Sequence, residues 1–252
     1  MSINEASETK TYESTDDIKL RCLANLQNND ITFTAWTQRV GSELIRTIPG
    51  ILSNRANTLD ISFSGYQDIG IYTCHGYNKY NRRMKSQDIQ INVKDQPVFT
   101  DNITITDSDR MTEINVDYFS VPKPIKVEWL KNENILYLSE KYIQNNIVTD
   151  ISLTFHKIKV KIKGYRSTLT IVSSEENDHG NYILRVQNAK GTVLQKIEYF
   201  PSVSQNEGKP KSTIIAVVVG VILMSVLTIG GILSFVCIWR KRKENNSPQR
   251  TT

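Results

Sequence analysis

Histidine is nearly absent: three occur in 252 residues, His75, His156 and His179, and no two stand at a metal-ligand spacing. Neither a nucleophile elbow nor a Gly-rich phosphate-binding loop occurs anywhere in the chain. These absences argue against an enzyme and against any cofactor or metal. Cysteine is scarce, at Cys22, Cys74 and Cys237, and signatures of soluble helices are poor. The first ten residues hold Asn, Glu, Ser and Lys with no apolar run to act as a signal peptide. The expectation is therefore that the sequence lacks its first exon or is an alternative product, with a signal-anchor mode as the more demanding route.

Charge is missing from one long stretch. The 28 residues from Ser212 to Trp239 contain no Asp, Glu, Lys or Arg, whereas about 20 apolar residues suffice to cross a bilayer core of about 30 Å. A transmembrane helix is expected over residues 213–239, preceded by a short polar stalk at 200–212. Arg240-Lys241-Arg242-Lys243 follow at once, which assigns the tail, 240–252, to the cytoplasm and makes the chain a single-pass type I membrane protein. This tail also explains the net charge of +5. It carries five basic residues and one acidic, leaving 26 basic against 25 acidic residues elsewhere, so the basic balance gives no reason to expect nucleic-acid binding. The span itself has no residue for an intramembrane ion pair, and the tail has no tyrosine. Cys237, at the inner end of the span, is a candidate for S-palmitoylation.

What fills the first 200 residues is alternation. Short runs rich in Ile, Val, Thr and Tyr alternate apolar with polar residues and are separated by Asn, Asp, Gly and Ser, the pattern of antiparallel strands with one buried face. In the first half Ile18, Leu20 and Cys22 alternate, then Trp36 falls in an apolar run, then Leu59, Ile61 and Phe63 alternate. Asp68-Ile69-Gly70-Ile71-Tyr72-Thr73-Cys74 follows, and Ile89, Ile91 and Val93 close the set. The second half repeats the order with Ile114, Val116, Trp129, Leu169, Ile171 and Asp178-His179-Gly180-Asn181-Tyr182-Ile183-Leu184.

This order of features resembles the immunoglobulin superfamily, twice over: domain 1 at residues 10–94 and domain 2 at 95–199, each an all-β sandwich of I-set or C2-like type. The resemblance implies that Cys22 and Cys74 bridge the two sheets of domain 1, that Trp36 packs on the bridge and that Tyr72 forms a tyrosine corner. It implies further that Asp68 pairs with a basic residue before the sixth strand, with Arg55 as the candidate. In domain 2 the cysteines are gone: Leu184 stands where one would follow Tyr182, and Val116 is its expected partner. Two ectodomain cysteines at disulfide positions fit an oxidising, extracellular location.

Loops between sandwich strands carry recognition in this fold. His75 to Lys85, between the last two strands of domain 1, is rich in Tyr, Asn and Arg, and Tyr77, Tyr80, Arg82 and Arg83 are the candidate contacts for a partner protein or an acidic glycan. Lys157, Lys159, Lys161 and Lys163 alternate along one expected strand, either as protection of a sheet edge or as a polyanion site. Asn102-Ile103-Thr104 is an N-glycosylation sequon. The resemblance as a whole implies a plasma-membrane adhesion or recognition glycoprotein that binds another immunoglobulin-like protein or its own copies. An innate-immune or decoy receptor and a glycosaminoglycan co-receptor are the alternatives.

Overall fold

The computed structural model describes residues 8–24, 31–53, 55–108 and 110–200, all of them in strands, turns and two short 3-10 segments. The expected stalk, span and tail, with Cys237, lie outside the described residues.

The first sandwich contains β1 (Glu8–Glu13), β2 (Ile18–Leu23), β3 (Thr32–Val40), β4 (Glu43–Pro49), β5 (Ile51–Ser53), β6 (Ala56–Ile61), β7 (Gly70–Tyr77), β8 (Arg83–Lys85) and β9 (Ile89–Lys94). One sheet runs β1-β9-β7-β3-β4 with β8 paired to β7, and it faces the sheet β2-β6-β5. Alternation decides the faces: Ile18 and Leu20 of β2 are buried while Lys19 and Arg21 are exposed. The core gathers Ile18, Leu20, Trp36, Leu59, Tyr72 and Ile91.

The second sandwich contains β10 (Val98–Asp107), β11 (Met111–Phe119), β12 (Lys126–Lys131), β13 (Asn134–Ile135), β14 (Tyr142–Phe155), β15 (Ile158–Val172), β16 (Gly180–Asn188) and β17 (Gly191–Tyr199). Its sheets run β10-β11-β15-β14 and β13-β12-β16-β17. The two cores share a register. Trp36 of β3 pairs with Cys74 of β7, and Trp129 of β12 pairs with Leu184 of β16. Val116 and Leu184 both lie fully buried in the second core, so an apolar pair fills the place of the cysteines.

Cys22 and Cys74 stand as thiols facing one another, Cys22 half-buried and Cys74 buried. A hydrogen bond between them holds the Cys22 thiol below its ordinary value, and that bond, together with burial, pushes Cys74 up.

Tyrosine corners form in both sandwiches. Tyr72 Oη donates to the Asp68 carbonyl at 3.0 Å, and Tyr182 Oη to the Asp178 carbonyl at 2.8 Å. Each strand then begins with a glycine at positive φ, 144° at Gly70 and 139° at Gly180. A Cβ on Gly70 would stand 2.3 Å from the Arg39 carbonyl oxygen, so only glycine fits this entry into β7.

Asp68 pairs with Arg46, at 2.7 Å, and not with the expected Arg55. Arg55 lies in the turn just before β6, where its carbonyl accepts from Ala24 N, while Asp68 follows the other end of that strand. Arg46 is brought into place by pairing of β4 with β3, which sets it opposite Gln38. Gln38 is fully buried; its amide donates to the Gln67 and Ile69 carbonyls and accepts from Arg46 Nε at 2.6 Å.

Strands β14 and β15 are far longer than the sheet that carries them. They pair from Tyr142–Ile171 to Phe155–Ile158, yet β11 reaches only the part of β15 from Tyr165 to Val172. The rest projects as a two-stranded arm. Gly164 makes the departure possible, because a Cβ there would lie 2.3 Å from Ile151 Cδ1 and 3.0 Å from the Tyr118 carbonyl. One face of the arm is apolar, and Leu153, Phe155 and Val160 bury themselves against Val40 and Ile45 of the first sandwich. Tyr66 meets Phe155 edge to face at 6.1 Å. The tip is a two-residue turn with φ of 42° at His156 and 77° at Lys157. His156 N donates to Gln67 Oε1 at 3.1 Å, and its Nε2 lies 3.2 Å from Asp68 Oδ1.

The arm revises the expected lysine strand. Lys157 belongs to the turn, leaving Lys159, Lys161 and Lys163 opposite Thr154, Ser152 and Asp150 on the exposed face. Over Ile158–Lys163 β15 pairs with β14 alone, so its other side is an open edge and the three lysines stand on an edge strand.

The linker has little slack. Asp95 N donates to the Val121 carbonyl, Asn188 Nδ2 donates to the Asp95 carbonyl at 2.8 Å, and Glu13 binds both Lys94 and Lys190.

Two expectations follow. Phe155→Ala strips a large buried ring from the seat of the arm and should lower stability by about 3 kcal/mol, read as a shift in guanidinium unfolding. Asp178 is almost fully buried, which raises its carboxyl. Hydrogen bonds from Tyr142, Lys141, Glu175 N and Lys131 outweigh that and bring it from 3.8 to about 2. Its folded value is depressed, so its contribution of about 2 kcal/mol is complete above pH ~4 and lost as pH falls through about 2. Unfolding midpoints measured between pH 5 and pH 2 should fall on the acid side, and Asp178→Asn should flatten that limb.

Candidate partner-binding face

The segment after β7 is an ordered hairpin. Asn78 organises it: its Oδ1 accepts from the N–H groups of Tyr80 and Arg82, each at 3.0 Å, and its own N–H donates to the Arg82 carbonyl. Asn81 takes φ of 57° to close the turn. This geometry returns the chain as β8, with Tyr77 opposite Arg83 and His75 opposite Lys85. A side chain that bonds its own backbone two and four residues on suits asparagine, and its amide does here what a longer sheet would otherwise have to do.

The four candidate residues divide into two pairs. Tyr77 and Arg83 line a groove of about 430 Å³ on the outward face of the sheet. Tyr80 and Arg82 stand at the hairpin tip, where Tyr80 is 72% exposed and carries the Lys79 ammonium 5.4 Å from its ring centroid.

The floor of the groove is built by residues that the loop-centred reading missed: Thr37, Thr47, His75 and Met84. Their signal lay in the alternation, because inward Trp36 and Cys74 oblige Thr37 and His75 to face outward. Thr37 Oγ1 lies 2.8 Å from His75 Nε2, and Thr73 Oγ1 donates to Asp88 at 2.7 Å. Burial, then the charges of Arg39 and Lys85, hold His75 below the ordinary imidazole value, with Asp88 opposing them. The groove thus offers hydroxyls, a neutral imidazole, an aromatic wall and a cationic rim. It is suited to a polar protein surface bearing acidic groups. Among the described residues no cluster of His, Cys, Asp or Glu could hold a metal ion.

Asn102 is exposed on β10, where its Nδ2 donates to Asp117 at 2.8 Å. Asp117 is itself buried and gripped by both ends of the Arg166 guanidinium, at 2.6 and 2.9 Å.

No protein-family model matches the sequence. A stretch of 184 residues is 27% identical to platelet-derived growth factor receptor alpha of Takifugu rubripes, covering 69% of this chain and 16% of that protein. Among solved structures, the chain is similar to Dpr2 Ig1-Ig2 in complex with DIP-Theta Ig1-Ig3, at 17% identity and a TM-score of 0.47, over 79% of this chain and 62% of that one. It is also similar to extracellular domains 3-5 of Drosophila OTK, at 17% identity and a TM-score of 0.44, over 76% and 61% of the two chains. The chain therefore spans less than two thirds of each of these relatives.

His75 should titrate below the ordinary imidazole value of about 6.5. Because Arg39 is one cause of the depression, Arg39→Ala should move the midpoint up, as followed by the imidazole proton shifts in a pH series.

Proposed function

We propose that this chain, a tandem of two immunoglobulin-superfamily domains, is a non-catalytic cell-surface recognition protein that binds a partner protein through the outward face of β3, β4, β7 and β8. The observation that carries the reading is the hairpin fixed by Asn78, which presents Tyr77 and Arg83 on a ready-made groove. Binding surfaces gain from such rigidity because less side-chain and loop entropy is lost on contact. Tyr and Arg give large planar contact area with polar ends, the chemistry of interface hot spots. The partner best matched is another immunoglobulin-like domain, including a second copy of this one.

The rest of the reading follows from that role. Residues 10–94 and 95–199 are the two extracellular modules. Cys22 and Cys74, already facing each other across the core, close a disulfide in an oxidising compartment. Asn102 carries a glycan, residues 213–239 cross the membrane, and Cys237 is an acyl acceptor beside a cytoplasmic stretch, 240–252, that holds no tyrosine. A second reading is favoured by the cations Arg39, Arg83 and Lys85 around His75: recognition of an acidic glycan.

Cells displaying the full chain should adhere to one another or to cells bearing the partner, and Tyr77→Ala/Arg83→Ala should reduce adhesion at least tenfold with surface display unchanged. Adhesion that survives the double substitution would remove this face from the function. A collapse of binding between 50 and 300 mM salt would favour the acidic glycan over a protein partner.

A further inference from the structure

Among the described residues, the open sheet edges other than β14 are blunted. β5, β8 and β13 have three, three and two residues, and the β15 side of the arm carries Lys159, Lys161 and Lys163. Charges stud the others: Glu8, Lys10 and Glu13 on β1, Lys19 and Arg21 on β2, Glu43 and Arg46 on β4, Asp101 and Asp107 on β10, Lys196 and Glu198 on β17. Short strands and charges are the usual defence against pairing with another chain. The edge of β14 between Tyr142 and Thr149 has no such defence. From Tyr142 to Thr149 it carries neither charge nor proline, and Ile143, Ile147 and Val148 are 49%, 45% and 67% exposed.

The hydrogen-bonding phase of this edge follows from its pairing. Lys141 O accepts from Val172 N, and Phe155–Ile158 closes the two-residue turn, so odd-numbered residues of β14 aim their backbone at β15. The N–H and C=O groups of Gln144, Asn146 and Val148 therefore point outward. Beside them lies a groove of about 350 Å³ lined by Tyr118, Ile125, Val127, Ile147, Val148 and Tyr165. Ile125 is 66% exposed at its rim, and the hydroxyl of fully buried Tyr118 has no hydrogen-bond partner.

We propose that β14 pairs antiparallel with β14 of a second copy of this chain across a two-fold axis at Asn145. Outward-facing residues must meet outward-facing residues, which restricts the pairing to registers in which opposed residue numbers have the same parity. Centring on Asn145 sets Gln144 opposite Asn146 as hydrogen-bonded pairs, Ile143 opposite Ile147, and Tyr142 opposite Val148. Like apolar groups meet, and no charge within residues 142–149 of one copy meets a charge of the other, which an identical strand bearing lysines could not achieve. A two-fold pair also closes on itself, consuming the open edge rather than passing it on. The surface belongs to the second sandwich and stands apart from the groove of the first, so the pair would leave both recognition faces free.

The test is disulfide trapping in the full chain. Asn145 sits at a non-hydrogen-bonded position, where opposed Cα atoms lie about 4.5 Å apart, within the ~4.4 to 6.8 Å that a disulfide bridges. Asn145→Cys should give a covalent dimer under mild oxidation at least tenfold above both the parent chain and Thr192→Cys on the β17 edge. Adding Ile147→Lys should abolish the cross-link while the unfolding midpoint stays unchanged. Cross-linking no greater than in the two controls, cross-linking that persists with Ile147→Lys, or a ladder of higher species would each overturn the proposal. Loss of cell adhesion in Tyr77→Ala/Arg83→Ala with the Asn145→Cys cross-link intact would separate the two surfaces.

Discussion

The Asp68 carboxylate holds together groups that come from three directions. Its Oδ2 accepts from Gly65 N, closing the turn before β7. Its Oδ1 accepts from Arg46 on β4 and lies against His156 at the tip of the second sandwich's arm. The backbone carbonyl of Asp68 accepts from Tyr72 Oη. The carboxylate is largely buried, and a charge in that setting is tolerable only because each oxygen is met by a donor. The groove on the first sandwich depends on this as well, since β4 and β7 both contribute to its lining and both are tied to Asp68. Asp178 repeats the scheme in the second sandwich with lysines and a tyrosine in place of the arginine.

Period-2 alternation and the two Asp-x-Gly-x-Tyr motifs made the double sandwich legible, because a half-buried strand must alternate and a tyrosine corner needs its fixed spacing. The loss of the second cysteine was legible from spacing, since Leu184 stands two residues after Tyr182 as Cys74 stands two after Tyr72. Partners set by strand register were not. Choosing Arg46 over Arg55 requires knowing which strand neighbours β3, and alternation carries no such information. The arm was hidden by its turn, since His156 and Lys157 adopt positive φ where Asn-Gly would be the usual signal. Reading past that turn made the lysine face one residue too long. At the candidate site the loop residues Tyr77, Tyr80, Arg82 and Arg83 stood out by composition, while Thr37 and His75 looked like ordinary strand residues until the sheet brought them together.

The two sandwiches solve the problem of holding facing sheets in different ways. The first packs Trp36 and Cys74 among Ile18, Leu20, Leu59 and Tyr72. The second relies on Val116 against Leu184 and on Trp129, whose Nε1 donates to Ser167 at 3.0 Å. It also presents Leu153, Phe155 and Val160 to its neighbour, extending its apolar burial beyond its own two sheets. Burial of that kind is shared, so neither sandwich presents a complete surface without the other.

The arm also bears on how the protein is made. Its strands are adjacent in sequence and joined by two residues, so it closes fast and locally. Closing it gathers Leu153, Phe155 and Val160 on one side, where Val98, Phe119 and Ile162 of their own sandwich share the cover with Val40 and Ile45 of the first. Synthesis runs from the N-terminus, and domains fold as units as they emerge. Val40, Ile45 and Tyr66 are therefore in place before the arm leaves the ribosome. The first sandwich serves as a template for the second, and the order of the two in the chain protects the stickiest surface of the later one.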